Sequence, residues 1–341
     1  MKKFTYLLGC LLLSGLTACL RPDSPIDPYQ APGDVEIVTI PMADEAGRYD
    51  YEIYYDLGTG SSTVVPRTIW DIGIEAPQMG EAIILNSANF MFAYNTGTTD
   101  FDGIGPDLTR QSGFRNQMLK ADDKTGDLSK TAISQEEGEV VVIDLGRGDD
   151  EALSAKGYIK AVFNRQTSGE VQVTWSDLDG SNLQNATITP DPTLRFTCFS
   201  FETSSVVEVQ PHMEEWDLVF GYYTTFFEPS ASFPDGLHYW VTGVRNNWDL
   251  VTAGQIDSTY SWETFTLQDT AQVNMIRDVN EIGYDWKQYL FEPPPTGTFV
   301  VFPEMVYIVR DTDGFYYKLR FQDFYSESGV KGFPTFEYQQ L

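Results

Sequence analysis

The chain has 341 residues, of which 50 are acidic and 22 are basic, giving a formal net charge of −28. A nucleic-acid-binding surface needs clustered basic residues to neutralise phosphates, so this charge argues against one. Only two histidines occur, His212 and His238, which excludes a metal centre built from several histidines. Aromatic residues make up 14% of the chain, a content typical of a folded protein and not of a disordered one.

The amino-terminal segment is typical of a secretory signal. Two lysines precede a mostly apolar run, residues 6–16, that is too short to cross a bilayer as a permanent helix. The run ends in Leu-Thr-Ala-Cys, which matches the bacterial lipobox, in which the cysteine becomes lipidated. We therefore predict a lipoprotein signal peptide at residues 1–18 and a lipidation site at Cys19. The alternative is an ordinary cleaved signal in which this cysteine occurs by chance.

The residues that follow are typical of an extended tether. Four prolines lie within residues 20–33, and we predict a lipidated tether over residues 19–33. No later stretch is long and apolar enough to span a membrane, so we expect contact with the membrane through the lipid anchor only. If Cys19 carries lipid, Cys198 has no disulfide partner, and the fold must depend on its core.

Stretches rich in β-branched and aromatic residues recur along the chain, separated by turn residues, and long amphipathic helices are absent from the pattern. The predicted strands are residues 34–40, 51–57, 82–85, 139–145, 158–163, 171–175, 196–201, 206–209, 218–223, 239–244, 299–301, 306–309 and 316–321. The pattern predicts an all-β fold built from antiparallel sheets.

Two pairs of passages suggest an internal duplication. Residues 51–76 and 196–222 each contain a strand, a turn, a Val-rich strand and a Trp-Asp pair, and residues 141–163 match residues 306–321 further along. The order of the two landmarks is the same in both halves. We predict two tandem β units, residues 34–190 and residues 191–341.

The repeated Trp-Asp pairs, at residues 70–71 and 216–217, allow two interpretations. In the structural one, Trp fills the core at the start of a strand and Asp accepts hydrogen bonds from backbone amides in a nearby turn. In the functional one, the aspartate is a catalytic acid. Because both copies occur in a scaffold pattern, we favour the structural interpretation.

Other chemistry-bearing motifs are weak. Three turns of the form Asp-x-Asp-Gly, at residues 100–103, 177–180 and 311–314, lack the further oxygen ligands of a calcium loop, so no calcium is expected. The sequence contains no nucleophile elbow, phosphate-binding loop, dinucleotide fingerprint or zinc-protease motif. We therefore expect a protein that is not an enzyme.

Several segments together resemble the HmuY family of Bacteroidetes haem-binding lipoproteins. They are residues 69–97, 214–225, 239–244, 282–289 and 316–339, and the last is the most specific. The resemblance implies two tandem HmuY-like antiparallel β units behind a lipid anchor, at the outer membrane and on the cell surface. It also implies haem as the ligand, held by two axial His or Met side chains, and a TonB-dependent outer-membrane receptor as a partner.

The axial ligands implied by the resemblance would lie near residues 246–251 and 291–295, and neither stretch contains His or Met. The candidates elsewhere are His238, Met275 and His212, and a His/Met pair is an acceptable haem ligand set. Each also has a plain structural interpretation: a strand-edge imidazole for His238, core packing for Met275 and an exposed turn for His212. Arg245, Arg277 and Lys287 are the basic candidates for the haem propionates.

The leading hypothesis is a membrane-anchored haem-binding lipoprotein that assists haem and iron acquisition. The alternative is an HmuY-fold surface interaction or adhesion module, or an accessory subunit of an outer-membrane receptor, that does not bind haem. A carbohydrate-binding module is a third and weaker possibility.

Overall fold

The computed structural model describes residues 33–150, 152–291 and 297–341, so Cys19, the predicted signal peptide and most of the tether lie outside the described residues. The first nine strands are β1 (Glu36–Thr39), β2 (Tyr51–Tyr55), β3 (Ser62–Pro66), β4 (Ile72–Glu75), β5 (Ile83–Leu85), β6 (Phe92–Asn95), β7 (Val140–Asp144), β8 (Tyr158–Arg165) and β9 (Val171–Asp177). The next eleven are β10 (Gln184–Ile188), β11 (Phe196–Ser200), β12 (Ser205–Val207), β13 (Leu218–Phe227), β14 (Leu237–Asn246), β15 (Thr252–Gln255), β16 (Lys287–Phe291), β17 (Gly297–Val301), β18 (Val306–Arg310), β19 (Tyr316–Tyr325) and β20 (Lys331–Gln340).

Helical structure in the described residues is limited to short segments. They are the 3₁₀ turns Arg67–Ile69, Ser87–Asn89, Leu108–Arg110, Leu128–Lys130 and Leu267–Gln272, and one π-helical turn, Phe114–Met118. The predicted all-β fold is confirmed, and every pairing between the strands is antiparallel.

The strands form matching sets of sheets. One five-stranded sheet has the order β1-β20-β19-β18-β15, and the other has the order β10-β9-β8-β7-β6. Two four-stranded sheets, β12-β11-β4-β5 and β14-β13-β2-β3, match in the same way, and β16 pairs only with β17. Strands β1 to β6 therefore correspond in order and pairing to β10 to β15, and β7 to β9 correspond to β18 to β20.

The two halves exchange strands. β2 of the first half pairs with β13 of the second, and β11 of the second half pairs with β4 of the first. β1 also crosses over to pair with β20. Each half thus completes sheets of the other, and each of the two largest apolar clusters contains residues from both halves. The division at residues 34–190 and 191–341 stays a prediction.

The two aspartates of the repeat have the structural role that the sequence predicts. Both are buried, and the Asp71 Oδ2 accepts a hydrogen bond from Phe201 N at 2.8 Å. The Asp217 Oδ2 likewise accepts one from Leu57 N at 2.8 Å. Burial raises the pKa of Asp217 to about 7, but a carboxyl that is 1% exposed has no access to a substrate.

An asparagine completes each copy of this motif, and the sequence analysis did not detect it. The Asn86 Nδ2 donates to the backbone carbonyls of Arg67 at 2.7 Å and Trp70 at 2.8 Å. In the second half, the Asn247 Nδ2 donates to those of Met213 and Trp216, both at 2.7 Å. Each asparagine satisfies two carbonyls in the connection before the Trp-Asp strand, so it fixes where that strand begins.

Two buried lysines hold two long insertions, which are the connection between β6 and β7 in the first half and the connection between β15 and β18 in the second. Lys160 on β8 and Lys318 on β19 occupy equivalent registers, opposite Val142 and Ile308. The Lys160 Nζ donates to two carbonyls of the first insertion, those of Phe101 at 2.9 Å and Ile104 at 2.8 Å, and the Lys318 Nζ donates to the Trp262 carbonyl of the second at 2.6 Å. Each ammonium also lies 4.7 Å from the centre of an aromatic ring in its insertion, Phe101 or Trp262.

We expect Lys160→Met to lower the free energy of unfolding by about 2 kcal/mol, because two carbonyls lose a charged donor and stay buried. Urea unfolding followed by tryptophan fluorescence measures the change. The control is Lys120→Met, at an exposed position, which should lie within about 0.5 kcal/mol of the wild type. Equal stability of the two variants would contradict the role assigned to Lys160.

Candidate functional site

Two hairpins of the second half project beyond its sheets. β13 and β14 pair over ten residues, but β13 contacts β2 only through Leu218–Phe220, so the outer part of this hairpin extends past the sheet. β16 and β17 form a separate two-stranded hairpin between β15 and β18. In the first half, β4 and β5 pair over only three residues.

An open cleft of about 650 Å³ lies between these two hairpins. Ten of its sixteen lining residues are aromatic: Tyr49, Tyr222, Phe227, Tyr239, Trp240, Tyr284, Tyr289, Phe291, Phe299 and Phe302. The others are Val241, Thr242, Asp285, Lys287, Gln288 and Lys331. This volume is within the range of about 300–1,000 Å³ that is typical of small-molecule sites, which are mostly apolar with a few polar groups.

Trp240 is the best-fixed ring of the β13–β14 wall. It stacks on Tyr222 with ring centres 4.1 Å apart and planes 24° apart. Its Nε1 donates to the Ala88 carbonyl at 3.2 Å, and the Arg67 guanidinium lies 5.2 Å from its ring centre. These contacts from the first half hold the ring in one orientation, so this wall of the cleft is preorganised.

The opposite wall is attached to β19 through Tyr325. The Tyr325 Oη accepts a hydrogen bond from Phe299 N at 2.6 Å and lies 3.0 Å from the Thr298 Oγ1. The Phe299 ring packs against Phe324, with ring centres 4.9 Å apart. The β16–β17 hairpin is therefore fixed through the first residues of β17, and Phe291 at the end of β16 is 90% exposed.

Lys287 lies at the base of the cleft in an apolar setting. Its Nζ donates to the Thr242 carbonyl at 2.5 Å and lies 4.2 Å from the Trp286 ring centre and 4.8 Å from that of Phe324. Burial lowers the pKa of Lys287 to about 7, and the nearby Asp285 raises it only in part. The ammonium therefore changes charge near neutral pH.

The depressed pKa of Lys287 predicts a pH-dependent stability. Between about pH 7 and pH 10.5 the unfolded chain holds this proton and the folded chain has lost it, so stability rises with pH across that window. We expect the stability difference between wild type and Lys287→Met to change in favour of the wild type by about 1.4 kcal/mol per pH unit. Denaturant unfolding at pH 7.5, 8.5 and 9.5 measures the slope.

The Lys287→Met variant itself is the reference in that experiment, since every other titrating group is common to both proteins. A difference that stays flat over this pH range would show that Lys287 keeps its ordinary pKa in the folded chain.

His238 lies on the side of β14 that faces the first half. Its ring packs against Phe92 and Phe226, with ring centres 5.3 Å and 4.9 Å apart. Its Nδ1 is buried without a hydrogen-bond partner in the described residues, and burial lowers the pKa of His238. The imidazole is therefore neutral at pH 7, but it does not line the cleft.

The other two candidate iron ligands lie elsewhere. Met275 packs against a small apolar cluster that includes Trp262 and Ile308. His212 is exposed in the turn before Trp216, where its carbonyl accepts a hydrogen bond from Glu215 N. The structure therefore brings none of the three candidates together, and their role as iron ligands stays a prediction.

Of the three basic candidates, Lys287 alone lines the cleft. Arg245 is directed into the core, where it pairs with buried Glu52 at 3.3 Å and donates to the Ser87 Oγ at 2.9 Å. Arg277 is exposed and does not line the cleft. The second lysine of the cleft, Lys331, was not singled out from the sequence.

The equivalent place in the first half is closed. The short turn between β4 and β5 folds back on itself, and the Glu75 Oε2 accepts a hydrogen bond from Ala82 N at 2.7 Å. The Glu75 carboxylate also pairs with Arg195 at 2.9 Å, and both side chains are buried. The described part of the first half therefore has no counterpart of the hairpin cleft.

No helix in the described residues has the length and apolar character needed to cross a membrane.

The comparison with protein families agrees with the resemblance predicted from the sequence. Residues 194–338, less than half of the chain, match the HmuY protein family model. This region is therefore similar to the HmuY family. It contains both hairpins of the cleft, and Tyr49 alone among the residues that line the cleft lies outside it.

Solved structures are similar to the chain only at low sequence identity and low TM-score. The apo HmuY analogue of Tannerella forsythia is 11% identical with a TM-score of 0.32, covering 92% of this chain and 98% of that one. A Bacteroides vulgatus protein described as HmuY-like and heme-binding is 12% identical with a TM-score of 0.23, covering 89% and 90%. Apo PinO of Porphyromonas gingivitis is 12% identical with a TM-score of 0.24, covering 90% and 97%. No curated protein is significantly similar to the chain.

Proposed function

We propose that the chain is a binding protein for a haem-type tetrapyrrole, which it takes up in the cleft between the β13–β14 and β16–β17 hairpins. The observation that carries this proposal is the set of ten aromatic rings around a cavity of about 650 Å³, nine of them within the region that matches the HmuY family model. Flat aromatic ligands are bound by stacking and edge contacts with such rings.

The residues of the cleft fit the porphyrin ring and the propionates of haem but do not supply a ligand for its iron. The aromatic walls suit the porphyrin ring, and Lys287 and Lys331 suit its propionates. An axial side chain of the usual kind is missing, because no His, Met or Cys is among the described residues that line the cleft. His238, Met275 and His212, the candidates predicted from the sequence, do not line the cleft, so a change of rotamer or backbone would be needed to bring any of them to the iron.

Haemin titration of the chain from residue 20 onward tests this function. We expect saturable 1:1 binding with a Kd of about 1 μM or below, because aromatic burial on two walls supplies most of the free energy. The Soret band should shift and sharpen as haemin leaves the aqueous phase. A broad spectrum that is unchanged from free haemin would contradict the proposal.

The lipobox and the proline-rich tether support a proposal about location. We propose that Cys19 is lipidated, that the chain is an outer-membrane lipoprotein exposed at the cell surface, and that it assists haem and iron acquisition by passing its ligand to a TonB-dependent receptor. Metabolic labelling with an alkyne fatty acid should label the wild type and not Cys19→Ser. Equal labelling of the two proteins would contradict the anchor.

A second candidate function, an interaction module, is favoured by the apolar rim of the cleft. Phe291, Tyr239, Phe233 and Leu290 are all exposed on the projecting hairpins. Exposed apolar patches of this kind mark protein contact sites. If this is the main function, Phe291→Ser should abolish capture of an outer-membrane receptor while haemin has no effect on the spectrum or on capture.

A further inference from the structure

We propose that the cleft recognises the porphyrin ring and its carboxylates and not the iron, so that iron-free porphyrins are ligands of this chain alongside haem. This inference rests on the proposed function of tetrapyrrole binding. The inference also narrows the proposed function, because the iron of haem then contributes little to the binding affinity.

The first support is the chemistry of the lining residues. None of the described residues around the cleft is His, Met or Cys. Tyrosine phenolate is the remaining haem ligand type. Burial raises the pKa of Tyr49 and Tyr222, and it raises the pKa of Tyr284 to about 12, which disfavours the phenolate at these three of the five tyrosines in the cleft.

The second support is the arrangement of the aromatic rings on the two walls. On the β13–β14 side, Phe227 stacks on Tyr239 with ring centres 5.2 Å apart, and Tyr284 lies 6.1 Å from Phe227. On the other side, Tyr289 packs against Phe299 with ring centres 5.0 Å apart. Rings on both sides of an open cleft contact a flat ligand through its π surface, and every porphyrin offers that surface with or without a metal.

The third support is the charge of the lining residues. In a chain of net charge −28, the cleft has two lysines, Lys287 and Lys331, against one aspartate, Asp285. A ligand that carries carboxylates would therefore find ammonium groups in the cleft to pair with.

Lys287 has no ion-pair partner in the described residues, and its pKa is lowered to about 7 by burial. A carboxylate brought beside it would stabilise the charged form, so binding should be accompanied by proton uptake above pH 7. This makes the carboxylate contact measurable separately from the stacking contacts.

The test compares haemin, iron-free protoporphyrin IX and protoporphyrin IX dimethyl ester on the same protein, the chain from residue 20 onward. Quenching of tryptophan fluorescence gives each Kd. We expect haemin and protoporphyrin IX to agree within about threefold, and the ester to bind about tenfold more weakly because it lacks the charged contacts.

Two variants identify the residues. Lys287→Met should weaken protoporphyrin IX by about tenfold and leave the ester unchanged, because only the free acid has a carboxylate for the ammonium. His238→Ala and Met275→Leu should each bind haemin as the wild type does. Cooperative unfolding of each variant shows that it is folded.

Haemin binding with protoporphyrin IX more than about thirtyfold weaker would overturn the inference and leave haem binding itself intact. Loss of haemin binding in His238→Ala or Met275→Leu would overturn it too and would identify the axial ligand. If none of the three compounds binds, both the inference and the proposed function fail.

Discussion

Replacing Asn247 with alanine is expected to lower the free energy of unfolding by about 3 kcal/mol, because a buried and a partly buried carbonyl lose their donor at once. The Asn247 Nδ2 lies 2.7 Å from the carbonyl oxygens of both Met213 and Trp216, in the connection that positions the Trp-Asp strand. Asn86→Ala should cause a loss of similar size in the first half. Urea unfolding of the wild type and both variants measures the effect.

Asn185→Ala is the matched control, since Asn185 is exposed on β10. We expect it to lie within about 0.5 kcal/mol of the wild type. If Asn247→Ala were as stable as Asn185→Ala, the asparagine would have no part in fixing the strand. Insolubility of Asn247→Ala alone would agree with the expected loss.

Removing the β16–β17 hairpin should reduce haemin affinity by about 100-fold or more, because one aromatic wall of the cleft is lost. Lys287 and Val301 are paired at the base of the hairpin, so replacing residues 288–300 with Asn-Gly closes the chain with a two-residue turn. The deletion takes away Tyr289, Phe291 and Phe299. Haemin titration measures the change.

The deleted hairpin forms its own two-stranded sheet, so the remaining sheets keep their strands and the variant should still unfold cooperatively. The milder variant Tyr289→Ala with Phe291→Ala should lose about tenfold in affinity. Leu183→Ser, at an exposed apolar position outside the cleft, is the control and should bind as the wild type does. Unchanged affinity of the deletion variant would show that haemin binds elsewhere.

The repeat was predictable because its landmarks are chemically unusual. A buried Trp followed by Asp, and later a buried Lys, occur in both halves, with Lys160 on β8 and Lys318 on β19 as counterparts. The aspartates and lysines recur because each hydrogen-bonds to the backbone of a neighbouring segment. The enrichment of β-branched and aromatic residues located β2, β8 and β19, because their side chains pack into a core on at least one side.

Strand β20 was not predicted, because Gly332 and Pro334 interrupt its pattern. Both residues lie where the register between β19 and β20 shifts, a place in a sheet that tolerates a proline. The pairing of the strands with one another could not be predicted from the sequence either. Nothing local in Glu36–Thr39 indicates that β1 crosses to the carboxy-terminal strand, because pairing over such a distance depends on the fold of the whole chain.

The cleft was missed because its residues come from separate stretches and were judged individually. Lys287 was one of three basic candidates for the haem propionates, and Trp240 was considered only as part of the predicted strand at residues 239–244, although both line the cleft. A usable signal was present in the sequence of residues 287–301, where two runs rich in β-forming residues flank three consecutive prolines, a pattern that predicts a hairpin. The exposure of Phe291 is visible only once the hairpin is seen to project from the sheets.

Hydrogen–deuterium exchange with and without haemin tests the central claim most directly, since it shows both that a ligand binds and where. We expect haemin to slow backbone exchange in residues 239–242, 288–291 and 297–301, which contribute to the two walls of the cleft, and to leave residues 76–82 of the first half unchanged. Slower exchange in the first half alone, or no change in any peptide at saturating haemin, would contradict a tetrapyrrole site between the two hairpins.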